Sequence, residues 1–243
     1  MLYLTAIPQV PENIVQMKVI VYKSRVDPAM LKQKAEEMKN ELFVKRFSKP
    51  KPEDIHVVSV DKHYEPYILV DAKYKIKYFT KKTYPIEVTD KAEEVLLFGK
   101  IFKPQRIAIT NAETNQFHSV IYIEAQEGSS HEENAYFILN KNGKEISPDQ
   151  VPIAPSEDKP KKILKEFKKK TRKVKVSNKD IILIAKKRLI KRPSDVDVID
   201  NEEFQIIEHA IIYNPIYVIT FRNIKTKEEK TVNIDGVTAE VIM

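Results

Sequence analysis

Residues 64–70 read YEPYILV, and residues 213–219 read YNPIYVI. The repetition extends upstream. PEDIHVV (52–58) precedes the first phrase and PSDVDVI (193–199) the second, and both follow Pro-x-Asp-[Ile/Val]-x-Val-[Val/Ile]. Pro52 lies 14 residues before Pro66, and Pro193 lies 22 before Pro215. That difference fits one longer hairpin. Two motifs in the same order, each after a helical stretch, point to an internal duplication of a β-α-β-β-β unit. The Tyr-x-Pro itself reads as strand punctuation. Proline lacks an N–H and suits a strand start, an edge or a bulge. The tyrosine adds a large apolar face and a hydroxyl for the rim.

The elements around these phrases are legible. MKVIVY (17–22) is a strand, and Asp27-Pro28 is an N-cap with proline at the first helical position. Leu31, Ala35, Met38 and Leu42 then mark one helical face over about 28–46. KPKP at 49–52 ends the helix. IHVVSV, YILV, KYKIKYF, YPIEV and EVLLFGKIF follow as separate strands. RIAI, SVIYIEA and AYFIL make a strand-rich middle, closed by the Asn-Gly hairpin of NKNGKEI. VPIAPSEDKPKK reads as a linker. TRKVKV is then a strand, Ser177 and Asn178 cap a helix over about 179–191, and VDVI, FQIIEHAIIY, IYVITF, KTVNI and AEVIM are strands. Asp235-Gly236 supplies a turn before the last strand.

The expected fold class is therefore α+β, with two related β-α-β-β-β modules and a strand-rich middle segment. The boundaries fall at 1–104, 105–155, a basic linker at 156–170, and 171–243. The C-terminal piece, YVITFRNIKTKEEKTVNIDGVTAEVI (217–242), resembles the end of small antiparallel modules of the PepSY and cystatin-like type. It departs from them where the usual glycine after threonine is Ala239. The resemblance covers roughly thirty residues and implies a curved antiparallel sheet wrapped on one helix. It implies no activity and no site residue.

Composition narrows the chemistry. The 243 residues include no Cys and four Gly. Without cysteine there is no disulfide, thiolate metal site or cysteine nucleophile. The glycines (Gly99, Gly128, Gly143, Gly236) are scattered, so no Gly-rich phosphate loop exists. The five histidines form no His-Glu-x-x-His motif or close pair. No Gly-x-Ser-x-Gly elbow is present; a Ser-His-Asp triad assembled in space is the distant enzymatic alternative. Asp54 and Asp195 match between the repeats, and each is read as capping the turn after its proline. No catalytic residue, cofactor or metal is expected. The N-terminus lacks a signal-peptide pattern, and no apolar run approaches the length of a membrane span. Cytoplasmic location and a thermophile-like, Lys- and Glu-rich chain are expected.

Charge is the informative signal. Lys159–Arg192 contains 16 Lys or Arg and two acids, whereas the rest of the chain holds 26 basic and 33 acidic residues. A localised basic stripe is the footprint expected for phosphate backbones, with an anionic membrane surface or an acidic protein partner as rivals. The candidate nucleic-acid-binding residues are Lys161, Lys162, Lys165, Lys168, Lys169, Lys170, Arg172, Lys173, Lys175, Lys187 and Lys191. Lysine neutralises phosphate without reading bases, so RNA or a ribonucleoprotein surface is the expected partner. The alternative is a protein–protein adaptor, to other proteins or, as a homodimer, to a second copy of itself, that offers edge strands while the basic segment is a solvated linker.

Overall fold

A computed structural model of the chain describes residues 10–44, 51–111 and 114–242. It is sheet-rich, with 52% strand and 18% helix. In chain order the elements are β1 (Glu12–Ile14), β2 (Lys18–Val21), α1 (Pro28–Leu42), β3 (Ile55–Val88), β4 (Val95–Leu97), β5 (Lys100–Phe102), β6 (Gln105–Asn111), β7 (Thr114–Asn140), β8 (Glu145–Ile146), α2 (Pro160–Glu166), α3 (Asn178–Leu189), β9 (Val198–Asn223), β10 (Glu229–Asp235) and β11 (Val241–Ile242). Hydrogen-bonded neighbours follow the order β11-β10-β9-β3-β7-β6, with β1 and β2 also on β9 and β8 also on β7. β4 and β5 form a separate hairpin, turned through Phe98 and Gly99 at φ 51° and 73°.

Three strands, β3, β7 and β9, are far longer than expected. IHVVSV, YILV, KYKIKYF and YPIEV run together as the 34 residues of β3, and the strands from VDVI to IYVITF merge into the 26 of β9. No Asn-Gly or Gly pair separates them, and proline's fixed φ is compatible with extended backbone. The prolines of Tyr-x-Pro therefore lie inside strands, not at their starts. β9 shows how this is tolerated. Its parallel register with β2 ends at Val21↔Tyr213, and its antiparallel register with β10 begins at Ile216↔Asp235. Pro215 sits where one partner gives way to the next, so its missing N–H costs no ladder bond.

The chain divides into two compact units. The first contains the residues up to Lys73, Asn134–Ile190, and those from Phe204 onward; the second contains Tyr74–Glu133 and Lys191–Glu203. This grouping does not follow the linear boundaries expected at 104, 155 and 170, because β3, β7 and β9 each give residues to both units.

In the first unit, Asp27 accepts the Met30 N–H (2.8 Å) to cap α1, and Ser177 and Asp180 form a capping box on α3. Leu31, Ala35 and Phe43 pack with Ile55, Ile219, Phe221, Val232 and Ile234. Each such large apolar side chain contributes about 1.5–3 kcal/mol when fully buried. On α3, Ile181, Ala185 and Leu189 are the buried face. The supposed linker is tied down: Lys23 N–H donates to Pro155 O (2.8 Å), Glu157 N–H to Val21 O (2.7 Å), and Tyr22 bridges Ser156. Its continuation forms α2, favoured by proline at the first position and straight-chain Lys, Leu and Glu. In the second unit, Asp197 N–H donates to Phe79 O (3.0 Å) and Thr80 Oγ1 to Asp195 O (2.9 Å).

The turn after β10 is fixed by Asp235, whose Oδ1 accepts from Val237 N (2.7 Å) and Thr238 N (3.0 Å). Ala239 has φ 63°, which is the backbone that a glycine would relax. Gly236 donates its N–H to Pro215 O (2.8 Å), and a Cβ there would meet that oxygen at 2.7 Å. Gly236→Ala is expected to destabilise the chain by about 1–3 kcal/mol, read as a lower denaturant midpoint.

Candidate nucleic-acid interface

The basic segment is built onto the first unit through one tyrosine. Tyr64, buried in β3, donates its N–H to Lys170 O (3.1 Å) and accepts at its carbonyl from Arg172 N (3.0 Å). The edge of its ring meets Phe167, with centroids 5.3 Å apart and planes at 80°. Lys62 places its ammonium 5.2 Å from the Tyr64 ring and 5.7 Å from that of Phe167. Phe167, the one aromatic of the basic run, is thus an anchor and not a stacking platform.

The predicted cations divide into two groups. Lys170 bonds Asp61 at 2.8 Å and holds its carboxyl below the usual range. Arg172 lies 3.2 Å from Glu65, which also takes Lys141 at 2.8 Å. Lys162 lies 3.9 Å from Glu166. These three are partly neutralised in place. Lys161, Lys165, Lys168, Lys169, Lys173, Lys175 and Lys187 are exposed in the first unit and have no acidic partner among the described residues. Lys191 belongs to the second unit, at the start of its stretch Lys191–Glu203. Other cations of the stretch are engaged: Lys186 with Glu12, Arg188 with both oxygens of Glu145 (2.8 Å each), and Arg192 with Glu202.

Glu65 anchors a cluster that the sequence did not reveal, because its cations come from positions 141 and 172. A cavity of roughly 250 Å³ opens there, lined by His63, Glu65, Tyr67, Lys141 and Arg172 among others. Burial, with Asp235 and Glu65 nearby, pushes the Tyr67 hydroxyl up to about 12. Burial and then Arg172 lower His63. Tyr67 therefore stays protonated at neutral pH, and the Glu65 carboxylate is held by cations. Asp54 and Asp195, matched in sequence, belong to different units; Asp54 is buried against Lys225 (2.8 Å). Among the described residues no cluster of three His, Asp or Glu side chains could hold a metal ion, and no helix is long and apolar enough to cross a membrane. No family model matches the chain, and no curated protein or solved structure matches it.

Two buried polar groups set local stability. In the second unit, Glu202 accepts from Tyr74 Oη (2.7 Å) and from Arg192 Nε (2.7 Å). Burial would raise its carboxyl, but these bonds hold it below the ordinary value, while burial and then the bond to Glu202 raise the Tyr74 hydroxyl. Glu202→Gln is expected to cost about 1.5–3 kcal/mol, seen in the denaturant midpoint. In the first unit, His209 is 1% exposed and neither ring nitrogen has a partner among the described residues. Burial lowers its pKa from 6.5, so the folded state holds it neutral while the unfolded state protonates it. The unfolded chain then binds more protons, and stability falls as pH drops below 6.5. His209→Leu is expected to reduce the fall in melting temperature between pH 7 and 5; an unchanged slope would assign that fall to other groups, such as His63.

Proposed function

We propose that the chain is a non-catalytic binding protein for RNA or a ribonucleoprotein surface, acting in the cytoplasm through the basic segment at 159–192. The observation that carries this reading is the set of exposed lysines, Lys161, Lys165, Lys168, Lys169, Lys173 and Lys175, that have no acidic partner among the described residues, on a backbone pinned to β3 at Tyr64. Cations held in place lose less freedom on meeting a phosphate chain than cations on a free linker. Lysines without base-reading partners suit backbone recognition, whose affinity falls steeply with salt.

We also infer that the first unit arose by duplication of a β-α-β-β-β module. Several pairs of observations support this. Val21 bridges Tyr213 in parallel and lies six residues before the N-cap Asp27; Thr171 bridges Tyr64 in parallel and lies six before the N-cap Ser177. Tyr213 O accepts from Tyr22 N (3.0 Å) as Tyr64 O accepts from Arg172 N. β7 ends at Asn140 and turns into β8; β10 ends at Asp235 and turns into β11. Asn140 Oδ1 accepts from Asn142 N (2.9 Å) much as Asp235 serves its turn. With β6 set aside and the off-path β8 taken beside β7, the path β11-β10-β9-β3-β7-β8 reads the same from either end once the halves are exchanged. Each pre-helix segment thus pairs with the other half's long strand, an interlocked arrangement.

The test is binding of total RNA by the full chain at two salt concentrations. Changing Lys161, Lys165, Lys168, Lys169, Lys173 and Lys175 to Gln is expected to leave the circular dichroism unchanged. RNA affinity should drop at least about tenfold, and the salt slope should fall by about 0.7 for each single-strand phosphate that the variant no longer neutralises. No binding by the wild type at low salt would end this reading.

A further inference from the structure

Beside its first part, β9 carries a short parallel strand: Glu12, Asn13 and Ile14 of β1 run along Phe204, Gln205 and Ile206. Phe204 N–H donates to Pro11 O (2.9 Å) and Val15 N–H to Ile206 O (3.3 Å). Glu12 pairs with Lys186 on α3. Under the duplication proposed above, on which this inference rests, the same setting recurs on β3. Phe204 lies nine residues before Tyr213, and Ile55 lies nine before Tyr64. Lys186 lies nine after its N-cap Ser177, and Glu36 lies nine after Asp27. The counterpart of β1 is Lys162–Leu164, nine residues before Thr171 as Glu12 is nine before Val21. That stretch lies within helix α2. Among the described residues, β3 therefore lacks the strand that β9 has.

The place is shaped to take one. Ile224 N–H donates to Asp54 O (2.9 Å), so strand alternation turns the main-chain groups of Ile55 and Val57 away from β9. Val57, Val58 and Val60 are 40%, 50% and 49% exposed. Beside them a largely apolar groove of roughly 500 Å³ opens against α1, lined by Leu31, Ala35, Ile55, Val57, Val60 and Tyr217, with Lys32, Glu36, Lys39 and Glu53 also on its wall. Where Lys186 faces Glu12 in one half, the other half presents an acid.

We propose that this groove binds an extended segment of a partner protein, laid parallel to Ile55–Val57, with an apolar side chain in the cavity and a lysine or arginine against Glu36. Main-chain bonds along a strand edge give affinity, and the side-chain pocket gives selectivity. The partner is another protein because, among the described residues, this chain's own β1 is engaged on β9 and its counterpart is helical, and a second copy presents the same engaged segments. Glu36 is half-exposed and pairs with the partly buried Lys39, so an incoming cation competes with Lys39 for its carboxylate.

The probe is a labelled ten-residue peptide with the sequence of residues 8–17 carrying Glu12→Lys, read by fluorescence anisotropy on the full chain. It should bind with a Kd below about 1 mM and at least tenfold tighter than the unsubstituted peptide. Glu36→Lys should invert that preference. Val57→Pro, which removes the edge donor, should weaken binding tenfold; if that variant does not fold, the Glu36→Lys inversion decides alone. No binding of the Lys peptide, or a preference unchanged by Glu36→Lys, overturns the proposal. A separate arm tests the template: Lys186→Glu should lower the melting temperature, and adding Glu12→Lys should restore it. Rescue without peptide binding sinks the groove alone, whereas failed rescue sinks the correspondence between the halves.

Discussion

The first unit depends on what happens at the main chain of two tyrosines. Tyr64 and Tyr213 each take a parallel segment at one edge. A proline follows two residues on, where no donor toward that segment is needed. A parallel pairing requires a crossover of many residues, and here each crossover is made by the other half's chain: β2 meets β9, and the segment at Thr171 meets β3. Non-local pairings of this kind are intrinsically slow to form because loop closure precedes their reward. They also leave neither half with its own complete edge, so α1 packs on Ile219, Phe221, Val232 and Ile234 of the opposite half.

That constraint changes the meaning of the basic segment. A lysine-rich run joined only by its ends would be a solvated tether, with its charges averaged over many conformations. Fixed at Tyr64 by two main-chain bonds and one aromatic contact, the run presents its unpaired ammonium groups from a set backbone. The acids that neutralise part of it come from β3 itself, Asp61 and Glu65. The net field is therefore smaller than the sequence count suggests and better localised.

What could be read from the sequence follows physical range. Asp27-Pro28 and Ser177 announced their helices because capping acts within a few residues. The Asn-Gly and Asp-Gly turns did the same for the two hairpins. The alternation of KYKIKYF was visible, and the structure buries Tyr74 and Ile76 while leaving Lys75 and Lys77 exposed. The lengths of β3 and β9 were not visible, because a proline in an extended strand carries the same local signal as a proline that ends one; only the change of partner at Ile216 tells them apart. The ion pairs of Glu65 and Glu202 were hidden for a related reason, since their partners are drawn from distant positions. Pro155 and Ser156 looked like a linker because three prolines without periodicity look alike whether solvated or pinned to β2.

The two buried polar sites illustrate how differently the units treat charge. Glu202 is ringed by donors, Tyr74 and Arg192, and remains ionised at a cost met locally. Among the described residues His209 has no hydrogen-bond partner at either nitrogen, and the cheapest solution is to leave it neutral. Nine residues after its helix cap, each half also carries an opposite sign, Glu36 against Lys186. If the halves descend from one module, that position is where they diverged in charge while keeping Ala35 and Ala185 buried at the same step of the helix. A buried small residue beside a variable charged one is what a helix needs when it must lie close to a strand in both halves and yet face a different neighbour in each.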